Sequence, residues 1–432
     1  MEKFGKSQSV KRVEDLRFLT GHGRYVDDIA PDGALHAYFL RATAAHGEIT
    51  TLNVDDARDM PGVHLVVTAD DLVAAGVKIG LGGSTVKNRD GSQGAAPVRP
   101  ILAQRRVRHV GEAIVMIVAD SIVEAKDASE AIEVEIDDLP VHVALAIGGH
   151  TIHSEAPENL AFDWGMGDEP GTQSEIDKAA HVVSIQVFDN RVIVNSMEPR
   201  GCYAEVVDGR LHVAFNGQGV WITKDDLIHH FDLNKDDVRV TNPDVGGGFG
   251  MKGMRYPEPF CAAHAARILG RPVRWMSERT EAMLSDNAGR DLTTTATLAF
   301  DADYRITTYQ LDTIANMGAY NSQFAQAIQT DLVAKVLMGT YDVQTAYMRT
   351  RGIYTNTTPV DAYRGAGRPE AIFILERVMD EAARKLGVDA WELRKKNFIV
   401  PAQFPYTTVS GVTYDVGDFA MVLASASREA DR

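Results

Sequence analysis

Cysteine is almost missing from this chain: Cys202 and Cys261 are the two in 432 residues. Two thiols exclude a disulfide scaffold, a four-cysteine zinc site and an iron–sulfur cluster held by this polypeptide alone. If electrons move here, another chain holds the relay. Long apolar runs are lacking too. Nothing approaches the roughly eighteen consecutive apolar residues of a membrane span, and Met1-Glu-Lys-Phe-Gly-Lys6 has no apolar run behind its charges. Neither a span nor a signal peptide is expected, which points to a cytoplasmic protein. Positive charge is in deficit, with 44 Lys and Arg against 60 Asp and Glu and a net charge of −16. That balance disfavours nucleic acid and anionic membrane as partners.

What is present is a globular composition, 45% hydrophobic and 24% charged, in a chain long enough for two to four domains. Residues 11–28 read as an irregular polar lead-in, and Gly21 and Gly23 suggest a turn into a strand over Leu35–Arg41. Thr68 and Asp71 form a variant capping box for a short helix. The Gly-, Ser-, Asn- and Pro-rich segment 80–98 reads as a loop. Val110–Ala119 fits a strand buried on both faces, followed by a helix capped by Asp120 and running to about Ala131. Ile132, Val134 and Ile136 alternate with acids as a half-buried strand. Residues 1–143 therefore look like one small α+β domain, with Leu139-Pro140 and Gly148-Gly149 as a linker to residues 144–432.

Longer strands are expected over Val182–Val187 and Arg191–Asn195, separated by an Asp-Asn turn, and then over Leu211–Phe215 and Val238–Thr241 with a helix from about Lys224 to His230 between them. Pro257 and Pro259 suit the first turn of a helix that Gly270 stops. Val273–Met276 is another strand, and Leu292–Phe300 with Arg305–Asp312 make a hairpin across Asp301-Ala-Asp303. Ala371, Leu375, Val378, Ala382 and Leu386 recur at helical spacing up to Gly387, and Asp389 with Glu392 starts a second capped helix.

The densest signal is Asp244-Val-Gly-Gly-Gly-Phe-Gly-Met-Lys252, with four glycines from Gly246 to Gly250. Residues without a Cβ let a ligand lie against the backbone and let several N–H groups converge on one anionic or oxo-bearing group. Dinucleotide and P-loop motifs are excluded, because Met251 stands where the last glycine of the first should be and Met precedes Lys252 where the second needs glycine. A tight structural turn would account for the glycines equally well. The company they keep decides.

Gly-Gly-Gly-Phe-Gly after a strand, Met197-Glu-Pro-Arg-Gly201 upstream, and Ala362-Tyr-Arg-Gly-Ala-Gly-Arg-Pro-Glu370 ahead of Leu375-Glu-Arg-Val-Met-Asp-Glu-Ala-Ala383 resemble the molybdenum-cofactor subunit of the xanthine dehydrogenase / aldehyde oxidase family, and within it the large chain of carbon monoxide dehydrogenase-type enzymes. The lead-in and the Val110-Gly-Glu segment are similar to that family's α/β-hammerhead domain. The resemblance implies an α+β fold, a hammerhead followed by the first molybdopterin-binding domain, with the second half absent from this sequence. It implies a molybdenum–molybdopterin cofactor, possessing or lacking a cytosine dinucleotide, whose metal is held by the pterin dithiolene and by no protein side chain. Its chemistry is hydroxylation of an electron-poor carbon with water as oxygen source, a glutamate as base, and electrons leaving through iron–sulfur clusters and FAD on partner subunits.

By position the resemblance assigns Gln218 to the apical oxo ligand, Gly247, Gly248, Phe249 and Gly250 to the backbone lining the cofactor, and Arg364, Gly365, Ala366 and Gly367 to the loop beside the metal. Plain alternatives exist: Gln218 between glycines as a turn residue, Phe249 as core, Arg364 in a surface ion pair. Copper–molybdenum oxidation of carbon monoxide requires a cysteine where this chain has Gly365, because a thiolate must bridge the soft copper ion. No copper is expected. Gly253 stands where purine-oxidising relatives carry a substrate-binding glutamate, so small aldehydes or N-heteroaromatics remain as substrates. The general-base glutamate is expected in the missing half, and Glu198, Glu258 and Glu370 are expected to be structural. The pair His229-His230 and His264 are expected in core or surface roles. The chain is thus expected to be inactive without a C-terminal-half partner, in a heteromer with an iron–sulfur small subunit and an FAD medium subunit; the alternative is a non-catalytic scaffold or assembly partner.

Overall fold

In the computed structural model, residues 9–430 are described; the Met1–Lys6 stretch and the last two residues of the chain lie outside them. Strand Ala113–Ala119 is buried at all seven positions. Its alternate side chains enter two different cores. Met116 and Val118 pack with Phe39, Phe260 and Cys261, while Val115 and Ile117 pack with Ala125 and Ala128 of helix Ile122–Glu130. Leu35–Arg41 and Val63–Val67 flank it, both antiparallel. Leu35–Arg41 also pairs in parallel with Val273–Met276, and the sheet continues through Gly201–Val207 and Arg210–Phe215 to Val238–Thr241. This seven-stranded sheet therefore joins residues from both sides of position 144. Helix Pro257–Leu269 lies against it, with Pro257 and Glu258 in its first turn and Gly270 at φ 61° closing it.

A five-stranded sheet, in the order His181–Asp189, Leu292–Phe300, Ile306–Gly318, Ala346–Tyr354, Leu160–Gly167, carries the second large core. Helix Arg368–Leu386 covers it with Ala371, Ile374, Leu375, Val378, Met379 and Ala382, all buried. A three-stranded sheet of Arg106–Val107, Gly47–Asn53 and Glu133–Asp138 completes a mixed helix-and-sheet architecture of the α+β class.

Several local expectations are corrected. The lead-in is not wholly irregular, since Asp15–Leu19 is a short helix. Ser121 caps Ile122–Glu130 through its hydroxyl, while Asp120 faces His64 at 2.8 Å. The strand expected over Arg191–Asn195 shrinks to Val192–Ile193, which pairs with Ala288–Gly289 and not with its sequence neighbour His181–Asp189. The helix expected from Lys224 begins earlier and spans Trp221–Phe231. Five of the longer strands escape the sequence reading: Gly47–Asn53, Val63–Val67, Leu160–Gly167, Gly201–Val207 and Ala346–Tyr354. In the last, Arg349 and Arg351 pair with Asp163 and Asp312 on the neighbouring strands.

Candidate active site

The glycine stretch leaves strand Val238–Thr241 and is pinned at both ends. Asp244 accepts two hydrogen bonds from the Arg17 guanidinium, one of them at 2.7 Å, and one from Arg24 N at 2.7 Å, so the lead-in is tied to the start of the stretch. The Arg17 hydrogen bond holds the Asp244 carboxyl below its ordinary range. Downstream, Glu198 Oε2 accepts from Gly246 N at 2.7 Å and from the buried Lys252 ammonium at 3.0 Å. Burial pushes the Lys252 pKa down, against the raising effect of Glu198. Between these anchors, Gly247 and Gly250 adopt φ values of 101° and 99°, and Phe249 adopts 53°. At Gly250 a Cβ would stand 2.7 Å from Ala362 O, and at Gly248 2.7 Å from Gln218 Oε1. Only glycine permits both close approaches.

Those approaches bring the sequence-assigned residues together. Gln218 Oε1 accepts from Gly250 N at 2.7 Å, which leaves its Nε2 donors without a partner among the described residues. The amides of Gly247, Gly248 and Phe249 likewise donate to no described group. Phe249 is 41% exposed, so it is not core. Arg364 is exposed and its side chain pairs with nothing among the described residues; the turn that carries it abuts the glycine stretch at Ala362. Gly365, Ala366 and Gly367 have φ values of 99°, 39° and 84°, and in this turn the amides of Tyr363, Arg364 and Gly365 also donate to no described group. Two loops of unspent N–H donors, one free carboxamide and one free guanidinium thus share one accessible edge. Such a set suits oxo and phosphate oxygens, which accept hydrogen bonds and donate none.

Sequence reasoning missed what holds the second loop. Arg290, at φ 62°, donates to Tyr363 O at 3.3 Å, Arg364 O at 2.9 Å and Glu370 Oε1 at 3.0 Å, and its guanidinium lies 4.8 Å from the Tyr363 ring centroid. Arg290 sits in no recognisable motif, and its signal is tertiary. Asp361 accepts from Ala362 N at 2.7 Å and Phe324 N at 3.0 Å. Burial raises the Asp361 pKa to about 6.

Under the first loop lies a paired ionic cluster. Arg200 donates to Glu258 and Asp286, each at 2.6 Å, and lies 3.7 Å from the Tyr256 ring centroid; Arg41 donates to Glu258 and Glu281, each at 2.7 Å. Burial alone would raise the Glu258 pKa, but Arg200 and Arg41 overcome it and hold the carboxyl at about 2. A pocket of about 40 Å³ separates this cluster from the glycine stretch and is lined by Gly217, Lys252, Gly253, Tyr256 and Gln323.

The three glutamates of the motifs are all engaged: Glu198 with Lys252, Glu258 with Arg200, Glu370 with Arg290. His230 is buried with its Nδ1 against Lys78 O, and burial lowers the pKa of His264. No group of three or more His, Cys, Asp or Glu among the described residues could hold a metal ion. Cys202 and Cys261 are buried in the sheet and helix core, and burial drives both thiol pKa values up. No helix of the described residues is long and apolar enough to cross a membrane.

Comparison with known proteins identifies the family and the fold. The molybdopterin cofactor-binding domain family matches residues 152–398, and the aldehyde oxidase and xanthine dehydrogenase a/b hammerhead domain matches residues 20–140. The carbon monoxide dehydrogenase large chain of Hydrogenophaga pseudoflava is 35% identical over 433 residues, which cover 95% of this chain and 52% of that one. The nicotine 6-hydroxylase large subunit of Paenarthrobacter nicotinovorans is 33% identical over 431 residues, covering 98% and 52%. Quinoline 2-oxidoreductase from Pseudomonas putida 86 superposes with a TM-score of 0.89 at 30% identity, covering 98% of this chain and 54% of that one. The chain spans about half the length of the curated relatives it matches. It belongs to the aldehyde oxidase / xanthine dehydrogenase family of molybdopterin cofactor-binding proteins, as a hammerhead domain followed by a cofactor-binding domain.

Proposed function

We propose that this chain is the cofactor-cradling portion of a molybdenum hydroxylase that oxidises a small N-heteroaromatic or aldehyde, with water as the oxygen source. The observation that carries the reading is the shared edge of free donors: the amides of Gly247, Gly248 and Phe249, the Gln218 carboxamide, and the Tyr363–Gly365 turn with Arg364. A molybdenum–pterin bound there supplies two-electron oxidation. Gln218 Nε2 would donate to its oxo group, the amides of Gly247, Gly248 and Phe249 and those of Tyr363, Arg364 and Gly365 would hold pterin and phosphate oxygens, and Arg364 would hold an anionic neighbour. The Arg290–Glu370 pair and the Glu198–Lys252 pair keep the two loops at fixed spacing. Preorganised donors of this kind stabilise developing negative charge without reorganisation during reaction.

The general base comes from a second cofactor-binding half, on a further polypeptide or a further length of chain. Iron–sulfur and FAD subunits take the electrons, since the two cysteines here are core residues. In this reading the cofactor domain begins at residue 144, the assembly is cytoplasmic, and the chain alone is inactive. Copper plays no part. Gly365 has φ 99°, and a Cβ there would stand 2.4 Å from Pro369 Cγ, so even an introduced cysteine would be strained. The relatives named for nicotine and quinoline, ring substrates bearing nitrogen, favour N-heteroaromatics among the substrate classes.

The test is to produce the chain together with its complementing half and electron-transfer subunits, determine molybdenum by elemental analysis, and follow acceptor reduction with pyridine- and quinoline-type rings, aldehydes and carbon monoxide. Stoichiometric molybdenum and turnover of a ring or an aldehyde is the expected result. A metal-free assembly, or turnover of carbon monoxide alone, would overturn the reading.

A further inference from the structure

Glu112, Glu258, Asp286, Asp361 and Glu370 are buried carboxylates. Glu258, Asp286 and Glu370 form ion pairs; Glu112 and Asp361 form none among the described residues. Arg99 is their cationic counterpart, buried to 4% exposure with Nε and Nη2 lacking any hydrogen-bond partner. An isolated buried charge is costly unless water or a polar group solvates it. The three groups belong to one region. Arg99 lies within electrostatic reach of Glu112, Tyr256, Glu258 and Arg200. Ser322 lies near enough to Asp361 to lower its pKa, the Ser322 hydroxyl accepts from Asn287 Nδ2 at 2.9 Å, and Asn287 N donates to the Tyr256 hydroxyl at 3.1 Å.

Between them, Asn287 Oδ1, Asn321 Oδ1 and Gln323 Oε1 are buried acceptors with no partner, as is His109 Nε2. Asn321 N donates to Pro97 O, beside Arg99, and Gln323 lines the pocket behind Gly253. His109 Nδ1 lies 2.9 Å from Val110 O, and burial lowers that ring's pKa to about 3, so it stays neutral with a lone pair on Nε2. Buried acceptors without partners and a buried guanidinium without partners in the same region complement a small cluster of ordered water, each molecule making roughly three hydrogen bonds. At the far end, Glu112 Oε1 accepts from the Tyr320 hydroxyl at 2.6 Å, and Arg108 Nη1 donates to the same hydroxyl at 3.3 Å. Arg108 and Tyr320 line a cleft of about 370 Å³ with Arg106, His153 and Glu155.

We propose that Asp361, Glu112 and Tyr320, joined by water ordered around Arg99, form a proton-release path from the cofactor cradle to the Arg108–His153 cleft. The proposal rests on the hydroxylase reading. Hydroxylation converts R–H and water to R–OH, two protons and two electrons; the electrons leave through the partner's iron–sulfur clusters, and the protons must leave as well. Asp361 adjoins Ala362, which touches Gly250, and burial holds its pKa at about 6, where a carboxyl both takes up and releases a proton at neutral pH. Burial also raises the Glu112 pKa, against the lowering contacts of Tyr320, Arg108 N and Arg99. Serine, water and the tyrosine hydroxyl carry the proton between these stations, and Arg99 fixes the water.

The test uses the assembled enzyme with Glu112→Gln, Tyr320→Phe and Asp361→Asn. Each variant should keep wild-type molybdenum content and KM, lose about tenfold or more in kcat, and show a larger solvent deuterium isotope effect on kcat. A second readout needs no turnover: infrared difference spectra of the assembly, recorded from about pH 4 to about pH 8, should contain a protonated-carboxyl band that titrates near 6 and vanishes in Asp361→Asn. Variants with wild-type kcat and isotope effect, or a wild type without that band, would overturn the path. An assembly that carries no molybdenum yet shows the band would refute the hydroxylase reading and leave the proton-exchanging Asp361 standing.

Discussion

Two buried polar regions meet at Tyr256 and are built on opposite rules. On one side, the two guanidinium groups of Arg200 and Arg41 bind the three carboxylates of Glu258, Asp286 and Glu281 through hydrogen bonds of 2.6–2.8 Å, so that every charge has a directly bonded partner. On the other, Arg99, Glu112 and Asp361 have no ion pair among the described residues, and Asn287, Asn321 and Gln323 of the same region carry buried amide oxygens without partners. The paired region sits where Pro257–Leu269 crosses the seven-stranded sheet and fixes the floor of the glycine stretch. The unpaired region borders the 362–370 turn and contacts solvent through a cleft. Matched charges give rigidity, because neither partner can titrate cheaply; unmatched charges keep their protons exchangeable.

The strongest way to break this contrast is Glu258→Ala. It removes the carboxylate that Arg200 and Arg41 share, leaving Arg200 with Asp286 alone and Arg41 with Glu281 alone, and should cost about 3–5 kcal/mol in denaturant unfolding, while Glu112→Ala should cost less than half as much. Equal losses would erase the distinction. Next in size is Gly250→Ala, in which positive φ and the contact with Ala362 O combine to cost about 1–3 kcal/mol and strip molybdenum from the assembly. Gly209→Ala isolates the backbone contribution, since that glycine has φ 76° with nothing within 4 Å, and should cost about 1 kcal/mol with cofactor retained.

The two regions should also differ in the sign of their pH dependence. Glu258 is held at about 2, below its unfolded value, so its stabilisation is present above the unfolded pKa and is lost as pH falls through the folded one. Asp361, raised to about 6, behaves oppositely: its favourable contribution is complete below the unfolded pKa near 4 and is lost as pH rises through 6. Unfolding free energy measured between about pH 4 and pH 7 should fall by on the order of 2 kcal/mol from this source, and Asp361→Asn should flatten that segment. The smallest effect sharpens the comparison at the cradle itself. Gln218→Ala removes one exposed hydrogen bond, about 0.5–1.5 kcal/mol, and should lower molybdenum content out of proportion to that loss.

Much of this was legible in the chain. Strands Leu35–Arg41, Val238–Thr241 and Val273–Met276 fall where their apolar patterns place them, and Thr68 with Asp71 does cap Ala69–Ala74. Gln218 and the glycines could be picked out because the ordered motifs around them carry the family resemblance, whereas a turn would explain them equally well by themselves. Gly201–Val207 was hidden because it opens on a glycine after Pro199 and Arg200, and its inward Cys202 and Ala204 are small. Arg290, Asp361, Arg99 and Glu112 were illegible for a deeper reason: each is an ordinary charged residue in sequence, and only burial makes it unusual.

The order of residues by itself determined the family, the α+β class and the two loops that must flex into positive φ, since local sterics and apolar spacing act between neighbours a few positions apart. Tertiary structure alone decided which charges are matched and which are left to water. Glu258 and Glu112 differ by which guanidinium lies within reach, and partners such as Arg41 and Glu258 stand more than two hundred residues apart along the chain. Coulombic pairing depends on distance in space and on excluded solvent, and a one-dimensional pattern encodes neither.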